Sequence, residues 1–179
     1  MKKLPWALLL LSLAGCGEKT PANSPDTLVS NDFESLDGWL GDQNTASVTR
    51  EKAHSGRYSL KVDGSTEYSR TYSNLLGKMH DTRVKKIKVN AWVFVPSAQA
   101  GAKLVTVISD TAPDAKPAVW DGLDLGPAVK GQYGKWIEIN NELAVPENVS
   151  PTSKFVMYLW RTGGPLPVYL DDLNVTAAE

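Results

Sequence analysis

The side chains with the most to offer a ligand are the aromatic ones. Among the Trp and Tyr in or beside alternating apolar runs after residue 60 are Tyr68, Tyr72, Trp92, Trp120, Tyr133, Trp136, Tyr158 and Trp160. Successive side chains of a strand point to opposite faces. Across Lys154–Arg161 this sets Tyr158 and Trp160, with Val156, opposite Phe155, Met157 and Leu159. Across Lys86–Val95 it sets Trp92 and Phe94 opposite Ile87, Val89, Ala91, Val93 and Val95. These rings therefore stand away from the aliphatic face, where a large apolar group is unfavourable unless something covers it. Tyr68, Arg70 and Tyr72 share a parity in another run, and Trp120 sits near an edge between Pro117 and Gly122. Aromatic faces stack on the C–H faces of sugar rings, and Arg, Asn, Asp and Glu hydrogen-bond the hydroxyls. Trp160, Tyr158, Trp120 and Trp92 form the expected platform, with Tyr68 and Arg70 at its rim. Loops folded over these rings are the alternative. Trp39 and Trp136 follow glycine turns at strand starts and are expected to pack inward.

Catalytic chemistry has little support. There is no Gly-x-Ser-x-Gly elbow, His-Glu-x-x-His pair, Cys-x-x-Cys pair or phosphate-cradling glycine loop. The two histidines, His54 and His80, fall in a tight turn and a polar loop, where a solvated surface role is expected. Asp121-Gly122-Leu123-Asp124 lacks the third acid and closing Glu of a calcium loop, and reads as a turn with a capping Asp. The acids are scattered over turns, so a facing pair for glycoside hydrolysis is not indicated. The expectation is a non-enzyme.

The elements that position these rings follow from composition and punctuation. The chain has 179 residues, a net charge of −1, 42% hydrophobic and 22% charged residues. This fits one globular domain and argues against disorder, coiled coil and a nucleic-acid partner, which would need a basic stripe. After residue 28 no stretch keeps a helical period for long. Short alternating runs recur instead, over Leu28–Glu34, Ala46–Lys52, Arg57–Asp63, Glu67–Asn74, Lys85–Val95, Lys103–Asp110, Val119–Asp124, Trp136–Leu143, Lys154–Arg161 and Val168–Val175. Clusters of Gly, Pro, Asn, Asp and Ser separate them. Strands with one buried face each predict an all-β fold, a two-sheet antiparallel β-sandwich.

The N-terminus reads as a sorting signal. Lys2 and Lys3 precede the apolar run Leu4–Ala14, which is shorter than the roughly 20 residues that span a bilayer. It ends in Leu13-Ala14-Gly15-Cys16, which resembles the lipobox of bacterial lipoproteins, and Cys16 is the single cysteine of the chain. The resemblance implies a lipoprotein signal peptide at 1–15, a lipidated Cys16 heading a polar tether at 16–27, and a domain at 28–179. Removal of 1–15 takes the net charge to −3. Gly17, and no Asp, follows Cys16. In the sorting rule of Gram-negative lipoproteins this implies the outer membrane, with the membrane as a partner through the lipid.

Within the domain, an ordered set of segments resembles the galactose-binding-like jelly roll of carbohydrate-binding modules. The set is Asn31-Asp32-Phe33-Glu34, Gly38-Trp39, His54 to Val62, Lys86 to Val93, Gly134-Lys135-Trp136 and Val168 to Val175. The resemblance implies a non-catalytic module for a poly- or oligosaccharide. A structural or assembly lipoprotein with protein contacts alone is the alternative, its partner unknown, and a small jelly-roll hydrolase or lyase is the weaker one.

Asp171 shares parity with Leu173 and Val175 and is expected to point toward the core, where a lone carboxylate is costly. In modules of this kind a structural calcium ion often sits among a matching Glu, a matching turn and a matching Asp. Here these are Glu34, the His54-Ser55-Gly56 turn and Asp171, with Asp32 as a competitor to Glu34. Alternatively Asp171 accepts from a backbone N–H, or pairs with Lys52 or Arg57, without a metal.

The anchor generates the first prediction. Cys16→Ser should accumulate as an unprocessed precursor without lipid in mass spectrometry. A mutant that matures as the wild type does, beside a wild type carrying no lipid, would remove the assignment.

Overall fold

The computed structural model describes residues 24–40 and 45–179. The signal peptide, Cys16 and most of the tether fall outside them. The described residues form eleven strands: β1 (Thr27–Asn31), β2 (Trp39–Leu40), β3 (Val48–Thr49), β4 (Ser59–Val62), β5 (Thr71–Leu75), β6 (Lys86–Phe94), β7 (Gly101–Ser109), β8 (Val119–Asp124), β9 (Trp136–Ala144), β10 (Lys154–Gly163) and β11 (Val168–Ala178). Two single-turn helices, α1 (Leu76–Met79) and α2 (Leu125–Ala128), follow β5 and β8.

The strands make the expected sandwich. One sheet has six strands, in the order β3-β4-β11-β6-β9 with β1 also on β11, and the other has five, β2-β5-β10-β7-β8. All their pairings are antiparallel. The inner faces are those that parity assigns. Ile87, Ala91 and Val93 of β6 and Phe155, Met157 and Leu159 of β10 are fully buried, together with Leu60, Val62, Leu170 and Val175. Burying a side chain of this size stabilises by roughly 1.5–3 kcal/mol, so these facing rows hold the sheets together.

Two of the irregularities in the strands decide where candidate site residues point. Asp171 is opposite Trp92 and Asn174 is opposite Asn90, so β11 carries one residue more than β6 between them. This is a β-bulge, and Asp172 takes φ 45° within it. Before the bulge Tyr169 and Asp171 have the outward parity, opposite Phe94 and Trp92. After it Leu173 and Val175 point inward. Asp171 is buried, as expected, but on the outer side of its sheet, beneath the turn at 54–56. The second break is at Ser69-Arg70. Tyr68 makes an isolated bridge to Trp160, whereas Tyr72 enters the core against Trp39 and Phe155. Tyr68 and Tyr72 therefore do not share a face.

The sandwich has two distinct ends. Thr27 lies opposite Thr176, so the tether leaves at the C-terminal end of β11. Thr176 is about 27 Å from the start of β11 by strand rise. The loops joining β6 to β7, β8 to β9 and β10 to β11 gather at the far end.

Candidate functional site

Each sheet carries an aromatic row on its outer face, and the chain treats the two rows differently. On the six-stranded sheet Trp92 and Phe94 of β6 lie beside Trp136 of β9 and Tyr169 of β11. Phe94 packs edge-on against Trp136 and Tyr169 at 5.8 and 6.0 Å. The segment before β4 folds over this row. The His54 ring stacks on Trp92, with centroids 3.8 Å apart and planes within 12°. Lys52 Nζ sits 4.2 Å from the centre of the Phe94 ring. Trp92 is thus covered by a loop and belongs to the sheet opposite Trp160; its expected place in the platform is corrected. Parity gives the face of a residue but not its sheet. Trp136 is likewise on an outer face, not inward, while Trp39 is buried as expected. His54 lies at the surface as expected, but its ring is stacked and bonded there.

Two carboxylates hold that cover in place. Asp171 Oδ2 accepts from the backbone N–H of His54 at 2.6 Å and of Ser55 at 3.2 Å, and Oδ1 accepts from Asp172 N at 2.8 Å. Glu34 Oε1 accepts from the N–H of Arg57 at 2.5 Å and of Tyr58 at 2.8 Å. Gly56, between these pairs, has φ +54°, and a Cβ there would lie 2.5 Å from Glu34 Oε1, so a glycine is required. Asp172 turns outward to His54 Nδ1 at 2.5 Å and to the Ser55 hydroxyl at 2.6 Å. The amide donors hold Glu34 below the usual carboxylate range, chiefly the N–H of Arg57. Burial pushes Asp171 up to about 6 against its three N–H donors, and the neighbouring Asp172 charge adds to the rise.

Glu34 and Asp171 therefore do meet the same turn. Asp171 accepts from backbone N–H groups, as the metal-free alternative holds. The set also suits calcium in kind, because Glu34 Oε2 and Asp171 Oδ1 are hard oxygens with acceptor capacity beyond those bonds. Ser55 directs its hydroxyl to Asp172, so it would contribute through its backbone. Among the described residues no group of three or more His, Cys, Asp and Glu could hold a metal by side chains alone. Backbone carbonyls and water would have to complete the shell.

The row on the five-stranded sheet is open. Trp120 is opposite Val107 on β7, and Trp160 is opposite Lys103 on the same strand. Val107, Val105 and Lys103 share parity, so Trp120, Tyr158 and Trp160 project from one face. Trp120 is 53% exposed and Tyr68 44%. The Tyr68 and Trp160 rings are parallel within 9°, with centroids 6.1 Å apart, and Tyr158 meets Tyr68 edge-on at 6.0 Å. Glu67 accepts from Trp160 Nε1 at 3.3 Å, which fixes the indole. Val105, of outward parity, is nonetheless fully buried, so flanking side chains close over it. Gly122 makes room for the Trp120 ring: a Cβ there would lie 2.7 Å from its Cη2. Arg70 donates its backbone N–H to Ser47 Oγ. Its Nε is buried without a hydrogen-bond partner among the described residues, so it does not present a simple rim guanidinium. The structure thus brings together Trp160, Tyr158, Tyr68 and Trp120. Parity did not reveal Lys103, Asp124 and Glu67 beside them. Lys103 and Asp124 enter through strand register, and Glu67 through its bond to Trp160.

Trp120 and Trp160 lie two strands apart and four residues apart along the strand, about 16 Å by strand spacing and rise. A ligand touching both must span that distance.

No family model and no curated protein matches this chain. Solved structures do. The CBM22-1 xylan-binding domain from Paenibacillus barcinonensis Xyn10C superimposes with a TM-score of 0.56 at 21% identity, over 88% of this chain and 98% of that one. The C-terminal family 22 carbohydrate-binding module of Clostridium thermocellum Xyn10B gives 0.57 at 14%, over 87% and 96%. A family 16 carbohydrate-binding module gives 0.52 at 14%, over 79% and 92%. At these identities the likeness establishes the fold, the β-sandwich of carbohydrate-binding modules.

Asp171 generates a pH prediction. Its carboxyl has an ordinary value of 3.8 and is raised to about 6. Between these values the folded state holds the proton more tightly than the unfolded one. Its contribution is therefore fully present below pH 3.8 and is lost as pH rises through 6. The loss is on the order of 2–3 kcal/mol. Asp171→Asn has no proton to lose. In chelator, the stability of wild type relative to this variant should fall from pH 4 to 6 and level off above. Parallel profiles across that window would contradict the reading.

Proposed function

We propose that this chain is a tethered, non-catalytic module that binds a poly- or oligosaccharide across the outer face of its five-stranded sheet. The observation that carries this reading is the aromatic row in which Trp120 and Tyr68 are exposed and Tyr158 and Trp160 half-buried between them. It is rigid and sheet-borne, and it is interleaved with Lys103, Asp124 and Glu67. Rings anchored on strands lose little conformational freedom on binding. Neutral polyols match such a surface, because they offer C–H faces to the rings and hydroxyls to the polar groups. The fold likeness is consistent with this, since several of the matching structures are xylan-binding domains.

The same reading accounts for the N-terminus. With Cys16 lipidated, an outer-membrane anchor would hold the sandwich by the end where Thr27 meets Thr176, leaving the aromatic face beside the anchor axis and accessible.

A glycan array with the purified protein identifies the ligand class, and titration then tests the site. Stacking on an aromatic side chain is worth on the order of 1–3 kcal/mol, by analogy with nucleobases. Trp160→Ala should therefore weaken binding about ten- to a hundredfold while the thermal melt stays cooperative. Trp92→Ala should alter stability, not affinity. Equal affinity in Trp160→Ala and wild type would remove that residue from the site.

We propose in addition that calcium, when present, is held by Glu34, Asp171 and the 54–56 backbone, and that its role is structural. Its chemistry there is charge compensation of a buried carboxylate. Wild-type melting should shift upward from chelator to saturating calcium, as expected for an ion that binds the folded state alone. The shift should be absent in Asp171→Ala. Superimposable wild-type curves after thorough stripping would sink it.

A further inference from the structure

The open face does not end at Trp160. One row beyond it, β7, β8 and β10 run into the loops gathered at the end of the sandwich opposite the tether. These loops border an open, shallow cleft of about 470 Å3. Gln99, Asp124, Lys130, Tyr133 and Thr162 line it, with glycines between them. Asp124 lies opposite Lys103, and Lys103 lies opposite Trp160, so the last row of the platform ends at Asp124, which is also part of the cleft's lining. Thr162 reaches the lining through a bulge: Arg161 is opposite Ala102 and Gly163 is opposite Gly101, which leaves Thr162 as the extra residue. Its register slip frees polar groups at the lip. Gly163 keeps the adjoining wall bare, since a Cβ placed on it meets nothing within 4 Å.

The chemistry of this lining is selective. It offers an amide, a hydroxyl, a phenol, one carboxylate and one ammonium. Side chains of both charge signs and both hydrogen-bonding senses suit a neutral polyhydroxylated ligand better than an apolar one or an ion of either sign. Continuity with Trp160 says which ligand that is. We propose that the cleft is a second subsite for the glycan that lies on the aromatic face, and that it takes the sugar units running past Trp160. This rests on the glycan reading given above. Because the cleft opens at the end opposite the tether, a chain entering it extends away from the anchoring surface.

The test is a chemical-shift map of the isotope-labelled protein with xylohexaose, cellohexaose and mannohexaose, each added separately. Shifts at Tyr158 and Trp160 that continue into Gly101, Gly131 and Gly163 support the subsite. Shifts confined to the aromatic face overturn the subsite and leave the glycan reading standing. No shift with any of the three removes both. A second measurement plugs the cleft with Gly163→Leu, for which the backbone has room. Affinity for the hexasaccharide that gives the shifts should fall about tenfold, while the Trp160 shifts persist at saturation. Unchanged affinity in the plugged variant would overturn the proposal. Should that variant fail to fold, Gln99→Ala should still weaken binding severalfold, and no change there counts against the subsite.

Discussion

A carboxylate buried on the outer side of a sheet decides which face of this molecule is available. Asp171 sits beneath the turn that its oxygens hold, with N–H donors from His54 and Ser55 more than a hundred residues earlier in the chain. Glu34 grips the other half of the same turn. Pinned at both halves, the segment lays His54 on Trp92 and Lys52 on Phe94. One aromatic row is thereby partly covered and becomes part of the support. The row on the other sheet receives no such cover, and the difference between the two faces follows from where these backbone amides go.

Further consequences run from packing to recognition. The open row is held from below by the fully buried Phe155, Met157 and Leu159, which alternate along β10 with Tyr158 and Trp160. A strand whose inner side chains are fixed cannot rotate its outer ones away. Glu67 orients one indole, and Gly122 lets another lie against the sheet. Recognition on this surface therefore depends on preorganised shape more than on charge, and its affinity should respond weakly to salt. The charged groups around the 54–58 turn act on stability instead.

Much of this was legible from alternation. Period two assigned the inner and outer faces of β6 and β10 correctly, and Asp171 was recognised as buried. What alternation could not convey was sheet membership. Trp92 and Trp160 both stand opposite aliphatic rows, yet one lies on each sheet, because strand order is set by long-range pairing. Nor could it show where parity slips. The Asp171-Asp172 pair carries a faint signal for its bulge, since Asp tolerates a left-handed backbone better than most residues, and Asp172 adopts one. The slip at Ser69-Arg70 carries none; Ser69 turns inward there to pair with Leu159, ninety positions away. The role of His54 was hidden for the same reason, its partners Trp92 and Asp172 being distant in sequence.

The central claim is that the open face, and not the covered one, meets the glycan. Limited oxidation of the tryptophans with N-bromosuccinimide, read by peptide mass mapping with and without a bound oligosaccharide, tests it most directly. The account predicts that ligand protects Trp120 and Trp160, while Trp92 and Trp136 react at the same rate in both conditions and Trp39 stays unreactive. Protection of Trp92 and Trp136, with Trp120 and Trp160 oxidised as fast as in the free protein, would contradict it.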